Sequence, residues 1–90
     1  MDIEFDPAKR EQILLHRGLA MSDCARVFER RCLTFPDLRE NYGEERFITI
    51  GHFHGRMVVL SWTVRGNVRR IISMRKANER EVKLYAPRLV

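Results

Sequence analysis

The chain has 90 residues, 44% of them hydrophobic, with 17 Lys and Arg against 12 Asp and Glu, a formal charge of +5. That length supports one core rather than two, so residues 1–90 are expected to form a single domain, and the apolar fraction excludes a disordered polymer. No apolar run approaches the roughly 20 residues of a membrane-spanning helix. The acidic start MDIEFDPAK lacks the basic-then-apolar order of a secretory signal, so a cytoplasmic protein without membrane association is expected.

The charge is unevenly placed. Residues 1–45 hold seven Lys and Arg against ten acids, a net −3, whereas residues 46–90 hold ten against two, a net +8. A basic half of that density reads as a face for a polyanion such as nucleic acid, as a docking face for an acidic protein, or as a solvated surface. Cys24 and Cys32 read as ordinary buried thiols, since a metal site needs more ligands than two cysteines.

In chain order, Ile3 to Phe5 alternates weakly and suits a short edge strand. Asp6-Pro7 opens a helix, with Asp as N-cap and Pro in the first turn, where its missing N–H costs nothing. Ile13 and Leu14 face inward from that helix, and Gly18 ends it. Met21-Ser22 opens a second helix with Ser22 as N-cap, and Cys24, Val27 and Phe28 form its apolar face. Leu33 to Phe35 reads as a short strand stopped by Pro36-Asp37, residues 39–45 as a polar loop, and Arg46 to Ile50 as a strand. Residues 51–55 (GHFHG) read as a turn.

Residues 57–64 and 68–74 are β-rich runs joined at Gly66-Asn67, a pair that tolerates the positive φ of a tight hairpin. After Ala77, Asn78 with Glu81 three residues on makes a capping box, and the last helix runs to about Ala86, where Pro87 stops it. The expectation is therefore an α+β domain: two N-terminal helices, a four-stranded antiparallel meander and one C-terminal helix.

Motifs for a nucleophile triad, a phosphate-binding glycine loop or an HExxH zinc site are missing from the sequence. His52 and His54 read as turn-surface histidines. What remains is positive charge on a sheet. Cleavage of RNA without a metal needs a base for the 2′-hydroxyl proton, an acid for the leaving oxygen, and cations for the phosphorane charge. Arginine suits the last role because its fork binds two phosphate oxygens. Strict alternation puts Ser61, Thr63 and Arg65 on one face with Ser73 and Arg75, and Arg70 on the other with Ile72 and Met74. The same arginines are able to pair instead with Glu44, Glu45, Glu79 or Glu81.

The run RxIISMRKANERE from Arg69 to Glu81, followed by Tyr85, resembles the C-terminal signature of the BrnT toxins of bacterial type II toxin–antitoxin pairs. Further pieces occur in the family's order: Phe5-Asp6-Pro7-x-Lys9, Arg17-Gly18-Leu19, Val27-Phe28, Asp37, Tyr42-Gly43-Glu44-x-Arg46, Gly51, Gly55-Arg56 and Trp62-Thr63-x-Arg65-Gly66. The resemblance implies a RelE-like ribonuclease fold and a metal-independent endoribonuclease that cleaves RNA and inhibits translation, with no cofactor. It also implies neutralisation by a BrnA-like antitoxin, with operator DNA bound only through that antitoxin, in a heterotetramer. Arg46, Arg65 and Arg75 are the expected catalytic cations and His16 the expected base or acid, with Lys9, Arg70 and Lys76 as RNA contacts. The family's Lys-His-Gly is His16-Arg17-Gly18 here, which moves the imidazole one position, about 100° around a helix. Trp62 and Tyr85 are expected to pack in the core.

Overall fold

The structure, a computed structural model, describes residues 2–5 and 21–89, without the side chains of residues 21–23. Five strands form one sheet: β1 (Asp2–Phe5), β2 (Leu33–Pro36), β3 (Arg46–Phe53), β4 (Arg56–Arg65) and β5 (Val68–Lys76). Their order across the sheet is β1-β5-β4-β3-β2. Strands β2 to β5 pair antiparallel, while β1 lies parallel to β5. Among the described residues there are two short helices, α1 (Met21–Glu29) and α2 (Glu79–Tyr85), and a 3-10 turn over Ala86–Arg88.

This corrects the expected α+β plan of two N-terminal helices before a four-stranded antiparallel meander. The short edge strand expected at Ile3 to Phe5 is present, but it joins the same sheet as a fifth strand, and its parallel pairing with β5 makes the sheet mixed. The RelE-like arrangement implied by the resemblance rested on that plan and falls with it. The helix expected from Asp6-Pro7 lies outside the described residues. The turn expected over residues 51–55 is also shorter: β3 runs on to Phe53, and only His54 and Gly55 turn the chain, both at positive φ (51° and 72°). The second hairpin turns at Gly66 (φ 61°) and Asn67, as its composition requires.

The sheet carries an apolar cluster on each face. Val58, Leu60, Trp62, Ile71, Met74 and Phe5 point to one side, where Cys24 and Val27 of α1 meet them. Ile50, Met57 and Val59 point to the other, where Leu89, Tyr85 and Ala86 of the C-terminal segment cover them. Trp62 is a core residue, stacked on Phe47 at 4.8 Å and edge-on to Phe28 at 5.7 Å. Its indole N–H donates to Thr49 Oγ1 at 2.8 Å, so the one polar atom of the ring is satisfied inside. Tyr85 stacks with Phe35 at 6.1 Å, which seats the C-terminal helix on β2.

The C-terminal helix begins at the expected capping box: Asn78 Oδ1 accepts from the Glu81 N–H at 2.8 Å, and Glu81 Oε1 accepts from the Asn78 N–H at 2.9 Å. The same Glu81 takes both guanidinium nitrogens of Arg75 at 2.7 and 2.8 Å. That fork ties α2 to β5, lowers the Glu81 carboxyl and raises the Arg75 guanidinium.

On the opposite face α1 sits directly over Gly51. A Cβ at that position would lie 2.7 Å from Val27 Cγ1 and 3.3 Å from Cys32 Cβ. Val27 is fully buried and, being β-branched on a helix, has no second rotamer to escape into. Gly51→Ala is therefore expected to destabilise the protein by about 1–3 kcal/mol, read as a lower urea midpoint. In a Val27→Ala background the same change should cost less, because the clashing methyl is gone, and a double-mutant cycle measures that coupling.

Candidate active site

The face that carries Ile50, Met57 and Val59 changes character along its strands. The C-terminal segment covers its apolar end, and beyond Ile48 and Ser61 the inward positions become Arg46, Thr63, Arg65 and Arg70. Register places Glu4, Arg70, Thr63 and Arg46 side by side in one row across β1, β5, β4 and β3. Neighbouring strands lie about 4.8 Å apart, so Arg46 and Arg70 flank Thr63 with backbones roughly 10 Å from one another. Arg65 follows two residues further along β4, on the same face. Glu44, Arg46, Thr63, Arg65 and Arg70 line a cavity of about 150 Å³, bordered by the β5 segment at Ile71 and Ile72.

Arg70 reaches this face because of a bulge. Ser61 pairs with Ser73 but Trp62 pairs with Ile71, so Ile72 is an extra residue in β5. An extra residue reverses the inside–outside order on one side of it. Strict alternation put Arg70 opposite to Arg65, and the bulge brings it onto the Arg65 side while sending Ile71 and Met74 together into the core. Nothing in the local composition of Arg70-Ile71-Ile72-Ser73 distinguishes a bulged strand from a regular one.

The cations differ in their surroundings. Arg46 Nε donates to Glu44 Oε1 at 3.3 Å, and its guanidinium lies 4.0 Å over the Tyr42 ring. Arg70 forms an ion pair with Glu4 of β1. Arg65 is exposed and has no ion-pair partner among the described residues. Thr63 Oγ1 donates to the Glu45 carbonyl at 2.6 Å and pins the end of the preceding loop onto β4.

That loop, residues 37–45, is built around Asp37. The Asp37 carboxylate is buried and accepts from Arg39 Nε and Nη2, both at 2.8 Å, from the Arg39 N–H at 3.2 Å and from the Tyr42 hydroxyl at 3.2 Å. Its own N–H donates to the Arg46 carbonyl at 2.8 Å. Asp37 thus holds both the backbone of Arg46 and the ring beneath its guanidinium.

Of the sequence-predicted residues, Arg46, Arg65 and Arg70 come together here. Arg75 shares their face but pairs with Val59, six residues from Arg65 along β4, roughly 20 Å away, and is engaged by Glu81. Lys76 pairs with Val58, which puts it on the α1 face. Lys9 and His16 lie outside the described residues. Glu44, which the sequence offered only as a salt-bridge partner, lines the cavity; its signal was its place in the Tyr42-Gly43-Glu44-x-Arg46 motif. Arg69 points to the other face, its guanidinium 4.0 Å over Phe28 and 5.1 Å from Trp62, where it covers the aromatic core.

Such a cavity, polar and rimmed by guanidinium groups, is suited to a phosphodiester. Over residues 5–81 the chain matches the family described as "Ribonuclease toxin, BrnT, of type II toxin-antitoxin system". It belongs to that family. No individually curated protein matches it. Membership of a type II system implies an antitoxin protein as partner. Among the described residues no helix is long and apolar enough to cross a membrane.

The clasp around Asp37 has a defined pH signature. Hydrogen bonds from Arg39 hold its carboxyl at about 2, below the ordinary 3.8. A depressed folded-state value means stabilisation that is fully present above about pH 4 and is lost as pH falls toward 2. Asp37→Asn should therefore be less stable than the wild type at neutral pH, and the gap between their urea midpoints should close over that acid window.

Proposed function

We propose that this protein is a metal-independent endoribonuclease that cuts RNA at the cavity formed by Arg46, Arg65 and Arg70, and so inhibits translation in the cytoplasm. The observation that carries the reading is the convergence of three guanidinium groups, from three adjacent strands, on one small polar cavity. Cleavage of a ribose phosphodiester by its own 2′-hydroxyl builds negative charge on a pentacoordinate phosphorus. Fixed cations already in place around that charge stabilise it without reorganising at the moment of reaction. Arg65, unpaired among the described residues, has its donors open to the phosphate. Arg46 and Arg70, paired with Glu44 and Glu4, add fixed positive charge beside it.

Family membership supports a toxin role held in check by a BrnA-like antitoxin, with operator DNA bound only through that antitoxin and a heterotetramer as the neutral complex. The whole chain, residues 1–90, acts in this reading as one toxin domain. Lys9 and His16 enter the proposal through the family resemblance. Arg75 serves as the brace of α2 through Glu81 rather than as a phosphate ligand.

Incubation of the purified protein with a defined RNA is the direct test. Cleavage should persist in excess EDTA, and Arg65→Ala should lower its rate about 100-fold or more while the thermal unfolding curve stays in place. Wild-type rates for both Arg46→Ala and Arg65→Ala would put the site elsewhere. Salt-sensitive RNA binding without any product would instead make this a binding module. Arg75→Ala should do the reverse of Arg65→Ala: cleavage kept when the protein is folded, with a lower unfolding midpoint, because Glu81 then loses its partner.

A further inference from the structure

Glu44 is the one carboxylate among the described residues that lines the arginine cavity. Its position is held from both sides. Before it, Gly43 turns at φ 72° with its N–H on Asn41 Oδ1 at 3.0 Å; after it, the Glu45 carbonyl is fixed by Thr63 Oγ1 at 2.6 Å. A positive φ at position 43 is open to glycine and strained for other residues. The side chain is about one third exposed (32%), and the Arg46 Nε–H reaches only its Oε1, at 3.3 Å. Oε2 has no hydrogen-bond partner among the described residues. A carboxylate that lines a cationic cavity, with one oxygen oriented and the other without a hydrogen-bond partner among the described residues, is placed to accept a proton.

We propose that Glu44 is the general base of the cleavage reaction, an inference that rests on the ribonuclease reading above. Its carboxylate takes the proton of the ribose 2′-hydroxyl. The 2′-oxygen forms a bond to phosphorus, the bond from phosphorus to the 5′-oxygen breaks, and the leaving oxygen takes a proton from water. The products are a 2′,3′-cyclic phosphate and a 5′-hydroxyl, and DNA, which lacks the attacking group, is left intact. Arg65 and Arg70 hold the phosphate, while Arg46 orients the base through Oε1. Glu4 remains on Arg70 at the far side of the row and takes no proton from the substrate.

The deciding variant is Glu44→Gln. The amide oxygen keeps the acceptor for Arg46 Nε–H and the same size, so a role limited to orienting Arg46 would survive the change. As general base, Glu44 should be worth about 100-fold or more in rate, the usual range for a positioned proton acceptor. Rates are measured on a short RNA, and binding on the same oligonucleotide carrying 2′-deoxyribose at the cut site. The expected result is a rate at least about 100-fold below wild type with binding unchanged or tighter, since a negative charge has left the cavity. Product ends should carry the 2′,3′-cyclic phosphate.

If Arg65→Ala is inactive while Glu44→Gln cuts within a few-fold of wild type, the cavity remains the site and the assignment of Glu44 is overturned. Linear 3′-phosphate or 3′-hydroxyl ends formed directly would also overturn it. A wild-type protein that cuts no RNA would remove the ribonuclease reading and this inference together.

Discussion

The site depends on one extra residue in β5. With Ile72 bulged between the pairs Ser61–Ser73 and Trp62–Ile71, the strand presents Ser73 and Arg75 on one side of the bulge and Arg70 on the other side of it, all toward the same face. The residues that alternate with them, Ile71 and Met74, then both enter the core under α1, where each is almost fully buried. Removing the bulge would turn Arg70 into that core and a core isoleucine into the cavity. Burial of an unpaired guanidinium is costly enough that the apolar face and the cationic face lock each other's register. The apolar packing under α1 is thus part of what gathers the arginines.

Gathering like charges has its own cost, and the fold offsets it with carboxylates at the rim. Arg70 meets Glu4, which is available only because β1 joins the sheet parallel to β5 with Glu4 opposite Arg70. Arg46 meets Glu44 and rests on Tyr42. These half-exposed pairs contribute little to stability, but they keep the guanidinium groups extended toward the cavity. The loop that supplies Glu44 and Tyr42 is anchored by Asp37, whose buried carboxylate accepts from Arg39 and Tyr42 of that loop and whose N–H donates to the Arg46 carbonyl. A rigid strand face and a tightly tied loop are the combination that positions groups for chemistry.

The two faces of the sheet have divided tasks. One is sealed by α1, with Gly51 allowing the helix to approach and Trp62 sandwiched beneath it. The other is sealed only at the end where Tyr85, Ala86 and Leu89 lie on Ile50, Met57 and Val59. The bidentate contact of Arg75 with Glu81 fixes where that cover stops. Past it the inward positions turn polar and the cavity begins.

Much of this was legible from residue order. The Gly66-Asn67 turn, the capping box at Asn78 and Glu81, the alternation of Val58, Leu60 and Trp62 against Ser61, Thr63 and Arg65, and the family signature are local patterns, and local backbone chemistry determines them. Period-two alternation also groups Arg46 with Ile48 and Ile50, and Arg65 with Ser61 and Thr63, while the pairing of Arg46 with Thr63 puts the two sets on one face. Three features were not legible: the parallel pairing of the first strand with β5, the bulge at Ile72, and the separation of Arg75 from the other arginines. Each depends on which backbone edge meets which partner, and a strand's sequence does not record its partner's register. The amino-acid order by itself determined that basic residues would gather on a sheet; pairing across the sheet decided that Arg70 rather than Arg75 completes the cluster, because one unpaired residue reverses every side chain beyond it.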